Sequence, residues 1–166
     1  MAAVTSAGLL VYRRPDRDGG RAGEVEVLLA HPGGPFWRRK DAGAWSIPKG
    51  EYTDDEDPLD AAHREFAEEL GQPAPEGTCR SLGSVRQTGG KQIVAWAVKG
   101  DVDPASVVSN TVLIPWPPRS GQMIEIPEID RVEWFALALA REKLNPGQVP
   151  LLDRLSTLLD TADDPS

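Results

Sequence analysis

The chain has 166 residues, 40% of them hydrophobic, with one cysteine and a formal charge of -8 at pH 7. That size suits one domain with a single core, and the acidic balance excludes a general nucleic-acid or anionic-membrane surface, although a polyanionic ligand can still be reached through bound cations and a few local bases. The lone Cys79 excludes an intrachain disulfide and fits a reducing, cytoplasmic setting; no stretch approaches the roughly 20 apolar residues that span a bilayer, and the start, MAAVTSAGLLVYRR, lacks the basic region of a targeting segment.

In chain order, residues 6–13 read as a first strand, and residues 24–31 alternate Val25, Val27 and Leu29 as a second, so that the pair suggests a hairpin around the Arg-, Asp- and Gly-rich loop at 14–23. His31 ends that strand rather than binding metal. Gly33, Gly34 and Pro35 then turn the chain into a basic cluster, Arg38, Arg39 and Lys40, which is either a solvated loop or a phosphate-facing one. Residues 45–49 are expected to form a strand that leads into an acidic segment.

That segment, GEYTDDEDPLDAAHREFAEELGQ from Gly50 to Gln72, predicts a helix with well-marked ends. Asp57 can cap the free amides, Pro58 suits the first helical position, Asp60 lies three residues after the cap, and Gly71 followed by Pro73 stops the helix. With Glu65 placed at 0° and about 100° per residue, Glu68 falls near 300° and Glu69 near 40°, one acidic stripe. Leu59, Phe66 and Leu70 fall between about 100° and 140°, so an apolar seam beside the stripe would dock on a sheet. Like charges at these spacings cost about 0.2–0.5 kcal/mol per pair, and Arg64 is the near cation. The stripe is either a solvated face or a cation site.

The spacing of Gly50, Glu56, Arg64, Glu65, Phe66, Glu68, Glu69 and Gly71 resembles the Nudix box of the Nudix hydrolases. At roughly 7% usage for each of seven fixed letters, chance would produce it about once in a hundred million starting positions. Gln72 stands where that family prefers an apolar residue, a departure that touches helix docking rather than metal chemistry. The resemblance implies an α/β fold, an α/β/α sandwich with a mixed β-sheet between helices, covering residues 1–160 as one domain with a tail at 161–166. It also implies Mg²⁺ as cofactor, with Mn²⁺ able to substitute, because carboxylates and phosphate oxygens suit an octahedral hard cation. Glu65 and Glu69 would be principal ligands, Glu68 a supporting one, the Lys49 carbonyl a further ligand, and Arg64 would orient Glu65. The stretch Trp45, Pro48, Lys49, Gly50 is similar to members acting on dinucleoside polyphosphates and diphosphoinositol phosphates, although Asp55 replaces their usual Gly before the box Glu.

Beyond the helix, residues 79–86 and 91–99 read as a strand pair turned at Gly89 and Gly90, with Ile93, Ala95 and Ala97 on one face and Val94, Trp96 and Val98 on the other. By resemblance Lys91 is a candidate phosphate contact; a plain edge-strand lysine is the alternative. Residues 101–122 form a long Pro-rich segment, expected as a wall of the substrate cleft, where Trp116 either stacks on a nucleobase or packs under the loop and Arg119 can bind phosphate. Glu125, Glu128 and Asp130 lead into a strand at 132–135; Glu128 precedes Trp134 by six residues, as does a Glu that helps with metal or water in the dinucleoside-polyphosphate members, and by that resemblance is preferred to Glu125, while Glu65 and Glu128 are both open as the base. Residues 146–160 make an amphipathic terminal helix with Leu151, Leu152, Leu155, Leu158 and Leu159 inward.

No Gly-rich phosphate loop, zinc-type Cys/His cluster or serine nucleophile elbow is present, so the acidic helix must carry the chemistry. The leading expectation is metal-dependent hydrolysis of a nucleoside diphosphate linked to another moiety, a small phosphorylated molecule such as diadenosine tetraphosphate. Nucleoside triphosphates, ADP-ribose and diphosphoinositol phosphates are alternatives, as is a non-catalytic nucleotide-sensing module.

Overall fold

The computed structural model describes residues 5–14, 24–87 and 90–161. All but Arg14 of the expected loop at 14–23, the Gly89 half of the expected turn and all but Thr161 of the expected tail at 161–166 lie outside the described residues. Strands β1 (Thr5–Arg13) and β2 (Glu26–Pro32) are followed by β3 (Lys49–Glu51), helix α1 (Pro58–Leu70), β4 (Arg80–Arg86) and β5 (Gln92–Lys99). A second ribbon follows, β6 (Thr111–Pro115) and β7 (Met123–Pro127), and then β8 (Ile129–Ala136), α2 (Leu137–Lys143) and α3 (Val149–Thr161). The main sheet runs β4-β5-β1-β2-β8, with β3 paired to β1 off that path. It is mixed: β1 and β5 are parallel and the other pairs antiparallel.

Both faces of the sheet are covered, which is why its central strands are apolar at nearly every position. Ala7, Leu9 and Val11 of β1 pack with Ala61, Ala62, Phe66 and Leu70 of α1. Leu10 and Tyr12 point the other way, into a cluster with Leu151, Leu152, Leu155 and Leu159 of α3. Ile93, Ala95 and Ala97 share that second face, and Leu158 is partly buried against it. The result is the α/β/α sandwich with a mixed sheet that the resemblance implies. Among the described residues no helix is long and apolar enough to cross a membrane.

Three expectations need correction. Residues 45–49 are not one strand: Trp45 and Ser46 make isolated bridges to Leu144 and Ala30, and pairing resumes only at Lys49. Pro48 between them has no N–H to donate, so the ladder breaks there. The segment instead wedges between β1 and β2, which pair only at Tyr12 and Arg13, while β3 takes Ser6, Ala7 and Gly8. Residues 101–122 are not a single loop, since Thr111–Pro115 pairs with Met123–Pro127 and the alternating Val112, Ile114, Ile124 and Ile126 face inward together. Glu125 therefore belongs to β7 rather than to a lead-in for β8. Finally, α2 was not expected: its N-cap is Ala136 with no side-chain cap bond, so it carries no local start signal.

His31 is fully buried, with Nδ1 3.0 Å from Asp130 Oδ1 and Nε2 2.6 Å from the Lys40 carbonyl. Both ring nitrogens are thus committed to holding the 33–41 turn against β2 and β8.

Candidate active site

Helix α1 forms where its caps place it. Asp57 sits at φ -63°, ψ 130° and its Oδ2 accepts from the Asp60 amide at 3.1 Å, while Gly71 ends the helix at φ 71°, where a β-carbon would be strained. Phe66 and Leu70 bury the apolar seam, which turns Glu65, Glu68 and Glu69 toward the end of the sheet where β3 meets β1.

Gly50 lets the two elements approach. A β-carbon there would lie 1.9 Å from Glu65 Oε2 and 2.0 Å from Cδ, so only glycine leaves room for this carboxylate. Arg64 braces the group from the outer side. Its Nε and Nη2 donate to the two oxygens of Glu56 at 2.7 and 2.8 Å, a bidentate pair, and its Nη1 donates to Glu65 Oε1 at 2.9 Å and to Glu68 at 3.3 Å. Arg64 is thus held chiefly by Glu56 and through it fixes where Glu65 points.

One polar cavity of about 450 Å³ collects the site. Glu65, Glu68 and Glu69 of α1 line it together with Lys49 and Glu51 of β3, Lys91 and Glu128. The Lys49 amide donates to Glu69 Oε2 at 3.2 Å. Burial pushes the Glu69 carboxyl up to about 8, against the pull of Lys49 and its amide, and the charges of Glu128 and Glu65 push the same way. Burial also raises Glu65, with Arg64 opposing and Glu68 and Glu128 assisting, and burial lowers Lys49 although Glu69 holds it up. Each shift has burial as its largest cause: the partly buried carboxylates and ammonium have lost some of the water that would solvate their charges. Beside it a cavity of about 200 Å³ shares Lys49, Glu69 and Glu128 and is lined further in by Ala30, Ile47 and Ile129.

The donors suit a hard divalent cation. They are all oxygens, they repel one another, and the half-buried Glu69 gains from any positive charge brought near it. Among the described residues no three His, Cys, Asp or Glu side chains converge into a ready-made cage. That openness fits Mg²⁺, which is usually held by one or two carboxylates plus substrate phosphates and keeps several waters.

The structure therefore gathers Lys49, Glu65, Glu68, Glu69, Lys91 and Glu128 at one cavity and leaves the other expected contacts elsewhere. Trp116 is half-buried and lines a separate cavity of about 510 Å³ with Gly34, Pro35, Arg38, Glu125 and Asp130, which shares no lining residue with the acidic one. Arg39 is exposed and lines neither cavity; Arg119, exposed at φ 63° beyond β6, does not either. Sequence reasoning missed Glu51, Asn110 and Ser6, all at the acidic cavity. Glu51 follows Gly50 directly and could have been suspected; Ser6 carries no local signal, because only sheet register brings it there.

Comparison with known proteins agrees with this fold. The NUDIX domain model matches residues 5–155. Among solved structures, the Ap4A hydrolase of C. elegans in a binary complex superposes with a TM-score of 0.61 at 23% identity, covering 96% of this chain and 100% of that one. The Nudix hydrolase RenU of M. smegmatis gives 0.57 at 25% identity over 95% of this chain and 86% of that one. The NUDIX domain of Shewanella oneidensis NrtR, complexed with ADP ribose, gives 0.60 at 16% identity over 96% and 90%. No curated protein matches the chain in sequence.

Proposed function

Because the chain belongs to the NUDIX family, we propose that it is a Mg²⁺-dependent hydrolase that cuts a phosphoanhydride bond in a nucleoside diphosphate linked to another moiety, with dinucleoside polyphosphates such as diadenosine tetraphosphate as first candidates. The observation that supports this most is the meeting of Glu65, Glu68, Glu69 and Glu128 with Lys49 and Lys91 around one polar cavity. A divalent ion held by Glu65, Glu68 and Glu69 would polarise a phosphoryl oxygen, offset charge on the leaving phosphate and make water a better nucleophile.

The chain's own residues do the rest. Lys49 and Lys91, which line the same cavity as the glutamates, offset charge along the phosphate chain and hold it in line. Arg64 fixes the Glu65 carboxylate, and either Glu65 or Glu128 takes the proton of the attacking water. No serine or histidine nucleophile is needed, so water attacks phosphorus directly. The smaller cavity beside Glu69 sets the apolar side chains of Ala30, Ile47 and Ile129 next to that carboxylate. The likeness to the C. elegans Ap4A hydrolase agrees in fold, and nucleoside triphosphates, ADP-ribose and diphosphoinositol phosphates complete the substrate panel. A pure sensing module would have no use for three like charges on one helix face, each pair costing about 0.2–0.5 kcal/mol. The lone Cys79 is consistent with action in the cytoplasm.

The test is a substrate panel in Mg²⁺ and in Mn²⁺ with product identification in isotopically labelled water. Diadenosine tetraphosphate should yield ATP and AMP with the label on a phosphate of one product. Tight nucleotide binding without cleavage of any diphosphate would support a binding module instead, and a trapped phospho-enzyme would refute direct attack by water.

A further inference from the structure

Ser6 is fully buried, lines the acidic cavity, and its hydroxyl has no hydrogen-bond partner among the described residues. A buried hydroxyl left unpaired costs on the order of 1–3 kcal/mol and calls for an explanation. Sheet register supplies one. Ser6 pairs with Glu51 of β3 on one side and with Ile93 of β5 on the other, and directly opposed residues share a face. Lys91 leaves the same strand end two residues before Ile93, and its Nζ reaches Glu51 Oε1 at 2.9 Å. This ion pair therefore links the two strands that flank β1 at Ser6, and all three residues line the same cavity. The pair is itself exposed, with side-chain exposures of 36% for Lys91 and 61% for Glu51, so it opens at little cost.

We propose that Ser6 and Lys91 form a phosphate subsite within the cavity that the glutamates line, latched in the free chain by Glu51. An incoming phosphate displaces the Glu51 carboxylate from Lys91 and accepts the Ser6 hydroxyl proton as a hydrogen bond. The hydroxyl gains the partner it lacks, and Lys91 exchanges one anion for another. Glu51 then acts as a competitor for Lys91, which makes binding at this subsite selective for groups more highly charged than a carboxylate. The subsite rests on the reading of the cavity as a phosphoanhydride hydrolase centre, but it is tested without hydrolysis.

The probe is inorganic imidodiphosphate, whose P–N–P bridge resists cleavage, titrated calorimetrically into the full chain in Mg²⁺, with melting temperatures measured in parallel. Ser6→Ala should weaken binding about tenfold, the effect of one hydrogen bond to a charged acceptor, while leaving the melting temperature unchanged or higher because an orphan hydroxyl is gone. Glu51→Gln should shift affinity the opposite way, tightening it about threefold or more, since Lys91 loses its internal partner. Unchanged affinity in Ser6→Ala, a melting temperature lowered by several degrees in that variant, or weaker binding in Glu51→Gln would each overturn the subsite. So would failure of the parent chain to bind the probe. Failure of every substrate to be cleaved, with these binding signs intact, would refute the hydrolase reading and leave the subsite standing.

Discussion

Replacing Gly50 by alanine tests the site through a single methyl group. The new β-carbon would fall 1.9 Å from Glu65 Oε2, 2.0 Å from Cδ and 2.6 Å from Cγ. Ordinary contact with a carbon needs about 3.5 Å, so the carboxylate has to retreat by roughly 1.5 Å. The side chain, rather than the backbone, is what yields: all three contacts are Glu65 side-chain atoms. Stability should then change little, by about 1 kcal/mol or less, or roughly 2–4 °C in melting temperature for a chain of this size. Catalysis should suffer far more, because a misplacement of about 1 Å in a catalytic group costs on the order of 100-fold. The assay is initial rate against Mg²⁺ concentration on whichever substrate the panel identifies, paired with thermal melts. A Gly50→Ala rate within threefold of the parent would refute the placement of Glu65 at the reacting centre. A melting temperature lowered by 10 °C or more would show that the backbone, not the carboxylate, gives way.

Three further outcomes follow from the same geometry. Glu69→Gln should abolish turnover at saturating Mg²⁺ yet raise the metal-free melting temperature near pH 8, since it removes a buried charge from a crowded wall; near-normal rates would sink its role. In the metal-free protein the Glu69 carboxyl, pushed up to about 8, holds its proton more tightly than in the unfolded chain, so stability should fall as pH rises from about 5 to 8. Lys49, lowered by burial, pulls the other way toward higher pH, so the fall should flatten beyond that window; a melting temperature that climbs between pH 5 and 8 in the absence of metal would contradict the Glu69 assignment. Lys49→Ala and Lys91→Ala should slow turnover more for diadenosine tetraphosphate than for ADP-ribose, because the longer chain loses a partner for more charge; equal effects on kcat/KM would point to a structural role for the lysine.

The sequence by itself determined the helix and its acidic stripe. Asp57, Pro58 and Gly71 act on their own turns, and Glu65, Glu68 and Glu69 share a face because of the helical repeat, so both features depend only on near neighbours. The same holds for the alternation in β5 and the leucines of α3, whose periodicity names their buried sides before any partner is known. What the tertiary structure alone decided is which distant groups meet that stripe. Pro48 breaks a ladder that looked continuous, and the wedge it creates puts β3, not β2, beside the first residues of β1. That pairing aligns Ser6 with Glu51 and brings Lys91 across the strand, a juxtaposition of residues 40 and 85 positions apart. The β6–β7 ribbon likewise draws Trp116 to a cavity that shares no lining residue with the acidic one, where the Pro-rich segment was expected only as a cleft wall. Side-chain periodicity reports only the face a residue will bury; strand register, set by long-range pairing, decides what it will face.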